Sequence, residues 1–227
     1  MNDPSAEQIR RRHDALLDRL RAISEAGGHD PARLRIVAVT KAHPIAVARR
    51  AMEAGLTRLG ESRVQEAEPK IAALPDIEWH FIGRIQSNKA RRVIRSFAVI
   101  HSVDSVDLLR RLDRRAAEEN RRSRVLLQVN VAAEASKAGL APDGLTAIVA
   151  PTNLDLVGLM TIAPMGASEQ EARAVFGRLR ELRDRLQEAA GIGLPELSMG
   201  MSADAEAAAA EGATLVRIGT ALFGHRH

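Results

Sequence analysis

Arg35-Ile-Val-Ala-Val-Thr-Lys41 reads as a short strand that stops at a lysine. The run is rich in β-branched residues and is followed at Pro44 by the start of a helix, a position that suits proline. Strand side chains alternate, so Val37, Val39 and Lys41 share one face. If that face points into a closed sheet, Lys41 is the one polar member of an apolar row.

The same strand-then-helix rhythm extends both ways from this run. Residues 5–26 form an amphipathic helix, with Ile9, Leu16, Leu17, Leu20 and Ile23 at helical spacing. Downstream, strands are expected at Arg58-Leu-Gly60, Trp79-His-Phe-Ile82, Ala98-Val-Ile-His101, Val125–Asn130, Leu154–Met160, Glu196-Leu-Ser198 and Thr214–Ile218. Helical stretches separate them, notably 105–121 and 168–190. With the first strand there are eight, of which the second and seventh are weak by themselves. Strands alternating with helices imply parallel pairing and right-handed crossovers. The expected fold class is α/β: a single (β/α)8 TIM-type barrel spanning 1–227, with residues 1–30 an N-terminal helix before the first strand. An open doubly wound sheet is the alternative, but no G-x-G-x-x-G follows the first strand.

Composition narrows the function classes. Hydrophobic residues make up 45% of the 227, enough for a sizeable core. No run of 18 uncharged apolar residues suggests a membrane span, and the opening MNDPSAEQIRRRHD lacks the apolar stretch of a secretory signal. A cytoplasmic protein is expected. With no cysteine, disulfides, thiolate metal sites and cysteine nucleophiles are excluded. The isoelectric point near 10.2 comes from a net charge of only +4 with neither Tyr nor Cys to titrate. Aromatics are 2%, too few to stack on bases, so nucleic acid is not an expected partner. The basic runs Lys89–Arg92 and Arg121–Arg124 read as solvated helix faces.

In a barrel of this kind, chemistry sits at the C-terminal ends of the strands. A lysine there, desolvated, exposes a free amine that forms a Schiff base with a carbonyl. The last two strands end in Leu197-Ser-Met-Gly-Met-Ser202 and Val216-Arg-Ile-Gly-Thr-Ala-Leu-Phe-Gly224. Glycine beside a hydroxyl residue lets backbone N–H groups cup an anion, and these two loops are the usual phosphate site of the fold. Ser198, Gly200, Gly219 and Thr220 are read as that group, with Thr220 starting a short helix; Ser202 is read as a cap of the helix beginning near Ala203. Arg217 alternates onto the face opposite Val216 and Ile218, where it either pairs with a carboxylate or donates to a ring nitrogen. Lysine, phosphate cup and inward donor together match pyridoxal 5'-phosphate (PLP). An arginine at the pyridine nitrogen leaves it unprotonated and the ring a weak electron sink, which argues against transaminase-type chemistry. His80 is read as a hydrogen-bonded core histidine, His43 as pointing away from Lys41, Glu61 as a helix-start carboxylate and Glu66 as a second candidate near the site. His225 and His227 lack the context for a metal site.

Several segments, in order, resemble the pyridoxal phosphate homeostasis protein family. They are Val37–Lys41, Gly60–Glu66, Glu78–Gly83 with Gln86–Lys89, His101–Asp104, Gln128–Asn130, Ser136–Gly139, Gly158–Met160, Leu197–Ser202 and Val216–Gly224. The resemblance implies a fold like the N-terminal barrel domain of alanine racemase (PLP fold type III), without a second domain. It implies PLP on Lys41, phosphate contacts from Ser198, Gly200, Gly219 and Thr220, and Arg217 at the pyridine nitrogen, with Met199 counted among the cofactor-binding residues. It also implies buffering or delivery of PLP without established catalysis; PLP-dependent apo-enzymes are expected as partners, and a monomer is expected because the second domain that forms one dimer interface is absent. One departure is Ser62, where the family usually has asparagine.

Two other functions compete. A PLP-dependent racemase needs a second acid–base group opposite the lysine. In alanine racemases that group is a tyrosine, and this chain has none. A lysine Schiff-base aldolase acting on a sugar phosphate shares the barrel, the lysine and the phosphate cup, and the residues alone barely separate it from the first reading.

Overall fold

The computed structural model describes residues 3–132, 138–143, 145, 148 and 153–224. The chain opens with α1 (Ala6–Ala26), started by a capping box in which Ser5 and Gln8 satisfy each other's backbone N–H groups. Then follow β1 (Arg35–Val39), α2 (Ile45–Glu53), β2 (Arg58–Glu61), α3 (Val64–Ala73), β3 (Glu78–Phe81), α4 (Ala90–Ser96), β4 (Val99–Val103) and α5 (Val106–Glu118). The second half gives β5 (Arg124–Gln128), β6 (Asp155–Met160), α6 (Glu169–Ala190), β7 (Glu196–Met201), α7 (Ala205–Ala210), β8 (Leu215–Ile218) and α8 (Thr220–Phe223). The strands pair in chain order and β8 returns to β1, all parallel, so the sheet closes into a barrel.

All eight expected strands are present, with ends displaced by one to three residues. Seven crossovers connect them, and much of the one between β5 and β6 lies outside the described residues, as do Ser136 and Lys137.

Alternation divides the barrel wall into two faces. Ile36, Ala38, Leu59, Ile100, Leu127 and Val216 join the main core between sheet and helices. Val99, Leu126 and Met160 form a separate small cluster, the apolar floor of the barrel interior. Val37 and Val39 also face inward, since a Cβ added at Gly60 would meet Val37 Cγ1 at 3.1 Å and Val39 Cγ2 at 3.6 Å. The expected face of β1 is therefore the interior one.

The largest boundary difference is in β7, which runs to Met201 rather than stopping at Ser198. Its pairing with β8 shifts register between Ser198 and Met201, and Gly200 within that shift has φ +86°. A left-handed residue in a strand marks a bulge and favours glycine. A Cβ there would also lie 2.5 Å from the Ala208 Cβ of α7. Gly200→Ala is expected to lower stability by about 1–3 kcal/mol, through strain and overpacking together, measured as a shift in the guanidinium chloride midpoint.

Candidate functional site

Parallel pairing aligns Ala38 with Ile218, which brings Val39 beside Gly219. A Cβ added to Gly219 would sit 3.5 Å from the Val39 carbonyl oxygen. Lys41 and the Gly219-Thr220 turn therefore leave the barrel side by side, at its C-terminal mouth. Lys41 is half-buried and Thr220 exposed. The loop after β1 is tied down on both sides. His43 N–H donates to the Thr40 carbonyl, and the His43 ring packs on Phe223 of α8 with centroids 5.5 Å apart. His43 thus packs on α8.

Directly before Lys41 lies a buried polar cluster that the sequence did not reveal. Lys70 Nζ of α3 donates to Glu61 Oε1 at 2.6 Å and to the Thr40 carbonyl at 2.9 Å. The Thr40 hydroxyl donates to the same Glu61 oxygen at 2.7 Å. All three residues are buried, and the second Glu61 oxygen has no hydrogen-bond partner. Burial pushes the Glu61 carboxyl above its ordinary range, against the pull of Lys70 and Thr40. The expectation that Glu61 starts a helix is corrected: it ends β2 and reaches across to α3. Glu66 does stand near the site. Arg63 holds it at 2.7 Å and pulls its carboxyl below the ordinary range, with help from the Ala42 N–H.

Inside the barrel, Arg217 of β8 is buried. Its Nη1 donates to Ser198 Oγ at 2.5 Å and its Nη2 to the Thr161 carbonyl at 3.0 Å. Burial lowers its pKa to about 10, which leaves it charged at neutral pH. Among the described residues its hydrogen-bond partners are neutral polar groups, and the nearest opposing charge is the Asp204 carboxylate. Ser198 Oγ also lies 2.7 Å from His101 Nδ1, His101 Nε2 lies 2.8 Å from His80 Nδ1, and His80 Nε2 lies 2.9 Å from Glu78 Oε1. His80 is thus a hydrogen-bonded core histidine, as expected. His101, quoted above only as a strand end and within a matching segment, is the interior residue that sequence reasoning missed.

These pairings give the expected phosphate residues different stations. Gly200, Gly219 and Thr220 border the mouth. Ser198 lies three residues below the end of β7 and has its hydroxyl engaged by Arg217 and His101, so it supports the arginine. The Met199 side chain is fully buried in the outer core, which leaves only its backbone for the mouth. Ser202 does not cap α7: the N-cap is Asp204, whose carboxylate accepts from the Met201 N–H at 2.6 Å. Ser202 is exposed, and it lines one cavity of about 290 Å³ together with Ala203, Ile218 and Ala221. Beside β2 and β3, Ser62 lines a cleft of about 540 Å³ with Arg63, Phe81, Arg84 and Lys89. The basic runs are largely engaged by acidic side chains: Arg91 with Glu118, Arg92 with Glu68, Arg122 with Asp155 and Arg124 with Glu78. His225 and His227 lie outside the described residues, and among those described no cluster of three or more potential metal ligands occurs. No described helix is long and apolar enough to cross a membrane.

The alanine racemase N-terminal domain family matches residues 12–227. The pyridoxal phosphate homeostasis protein of Pseudomonas aeruginosa is 47% identical over 214 residues, covering 92% of this chain and 91% of that protein. Its counterpart in Synechocystis sp. is 45% identical over 203 residues, covering 86% and 93%. This chain belongs to the pyridoxal phosphate homeostasis protein family. Among solved structures, PipY of Synechococcus elongatus with PLP bound superposes with a TM-score of 0.80 at 42% identity, covering 92% of this chain and 99% of PipY. PipY without PLP gives 0.82 at 44% identity, covering 90% and 98%. The alanine racemase of Clostridium difficile shares the fold, with a TM-score of 0.73 at 17% identity over 86% of this chain and 53% of the racemase.

The interior histidines are expected to make this homeostasis-family barrel sensitive to acid. Burial lowers the pKa of both His80 and His101 from the ordinary 6.5, His101 further because His80, Arg217 and Arg124 are close. A group depressed on folding contributes stability that is complete above its unfolded pKa and is lost as pH falls toward the folded value. Stability should therefore fall below pH 6.5 at up to about 2.7 kcal/mol per pH unit for two such groups. Glu78 is held well below the carboxylate range, first by His80, so it adds to the loss only at lower pH. Denaturant midpoints measured between neutral pH and about pH 5 check this.

Proposed function

We propose that this chain binds PLP as a Schiff base on Lys41 and serves in cytoplasmic PLP homeostasis, buffering the cofactor and delivering it to PLP-dependent apo-enzymes without turnover of its own. The observation that carries the reading is the close approach of Gly219 to Val39, which puts the lysine and the glycine turn at one mouth. The donor set fits the cofactor's three ends. Lys41 offers the amine that condenses with the aldehyde, forming a C=N bond and releasing water. Backbone N–H groups around Gly200 and at Gly219-Thr220 suit the phosphate, with the Thr220 hydroxyl and, on its exposure, the Ser202 hydroxyl. Arg217 supplies a donor for the pyridine nitrogen from the barrel interior. PipY, similar along nearly its whole length, has been solved with PLP bound.

When bound, PLP supplies an electron-withdrawing ring conjugated to the lysine linkage. The chain's residues restrain that capacity. Arg217 is a permanent donor, so it favours an unprotonated ring nitrogen and a weak sink. Thr40, anchored by Lys70 and Glu61, fixes the backbone from which Lys41 projects. No tyrosine is present to serve as the second base of a racemase. We read the protein as a monomer.

Two assays test the reading. Addition of PLP should turn the protein yellow with near-ultraviolet to violet absorbance, which an aldolase of sugar phosphates need not show. Incubation of the PLP-loaded protein with single amino acid enantiomers should give no interconversion at enzyme rates of about 1 per second or above. Turnover at such rates would replace the homeostasis reading with the racemase one.

A further inference from the structure

The interior hydrogen-bond chain has two ends of fixed character. At the top, Arg217 can only donate, so Ser198 Oγ must accept from it. At the bottom, Glu78 is a carboxylate held by Arg124 at 2.6 Å and by His80, so it can only accept. Starting from Glu78, His80 Nε2 must carry a proton. If the ring is neutral, its Nδ1 is bare and accepts from His101 Nε2–H. His101 Nδ1 is then bare and accepts the Ser198 hydroxyl proton. That leaves the Ser198 lone pairs for Arg217, as the other end demands. The two ends impose the same direction on every link.

We propose that His101 and His80 are positioning residues for Arg217: with Ser198 and Glu78 they form a one-way hydrogen-bond chain that fixes the guanidinium and holds both imidazoles in the neutral Nε2–H tautomer. Without the His101 acceptor, the Ser198 hydroxyl proton has nowhere to go but toward its donor, and Arg217 loses a partner. A cationic His101 would put a second proton at Ser198 beside a guanidinium. The charged groups around the pair oppose this: Arg217 and Arg124 face His101, and Arg58 and Arg124 face His80, with Glu78 the carboxylate on the other side. The consequence rests on the reading of Arg217 as the donor to the pyridine nitrogen: the chain sets that donor's aim from the far end of the barrel.

Two measurements decide it. Nitrogen-15 NMR of the imidazoles in the full-length wild-type protein, without cofactor, should place both rings in the neutral Nε2–H tautomer, unchanged from about pH 8 to about pH 6. An Nδ1–H tautomer on either ring, or a titration midpoint at the ordinary histidine value, overturns the proposal. The second compares His101→Leu with His101→Asn. Asparagine can place an acceptor where Nδ1 stood, and leucine cannot. His101→Leu should weaken PLP binding about five- to tenfold, the loss of roughly one hydrogen bond, and shift the bound absorbance band. His101→Asn should recover most of both. Equal effects from the two substitutions overturn the positioning role. A wild type that takes up no PLP overturns the cofactor reading instead, and the tautomers read without cofactor still decide the chain's direction.

Discussion

Lys41→Ala is expected to reduce the borohydride-trapped PLP adduct to background and to abolish the violet absorbance of the mixture. The chain has four lysines: Lys41, Lys70, Lys89 and Lys137. Lys70 is buried between Glu61 and the Thr40 carbonyl, so its nitrogen is already engaged by acceptors. Lys89 ends a single 3-10 turn in the cleft beside β3. Lys137 lies outside the described residues. Of the described lysines, only Lys41 lies just past the end of a barrel strand, beside the Gly219 turn. The substitution should leave the fold intact, because Lys41 is half-buried at a loop and the Thr40 anchor does not depend on its side chain. Thermal unfolding of the variant without PLP checks that. Adduct persisting at wild-type level would show that the linkage is made elsewhere.

Lys70→Met should be the most damaging single change outside the apolar core. It strips the counter-ion from Glu61, whose other oxygen already lacks a partner, and removes the donor to the Thr40 carbonyl. Removing one member of a buried pair costs about 3–5 kcal/mol. A double substitution, Lys70→Met with Glu61→Leu, should recover most of that loss, because replacing both charges with apolar groups is often neutral. Denaturant titration of the two single variants and the double gives the coupling. The double variant should still trap PLP less efficiently than wild type, since the Thr40 backbone beside Lys41 has lost its anchor. Full trapping by the double variant would show that the ion pair serves stability alone.

The barrel was legible because its signals were redundant. Seven segments separate the eight expected strands, and the eight-unit count survives even where Arg58-Leu-Gly60 is weak alone. Alternation correctly placed Val37, Val39 and Arg217 on the interior face. What escaped the sequence was pairing across the fold. Lys70 sits in Val64-Gln-Glu-Ala-Glu-Pro-Lys70, a charged helix that reads as solvated, and only the closure of α3 against β1 and β2 buries it. Nothing local shows that β7 continues for three residues past Ser198 through a bulge, or that the Ser198 hydroxyl meets Arg217 and His101. The same bulge moves the helix start to Asp204 and leaves Ser202 exposed at the mouth. His101 gave no chemical signal alone; its meaning comes from His80 and Ser198, 21 and 97 positions away.

Peptide mapping by mass spectrometry of the wild-type protein, reduced with borohydride after PLP loading, tests the account most directly. The predicted result is one modified site, on the peptide carrying Lys41. A phosphopyridoxyl group on the peptide of Lys70, Lys89 or Lys137, with Lys41 unmodified, would contradict it.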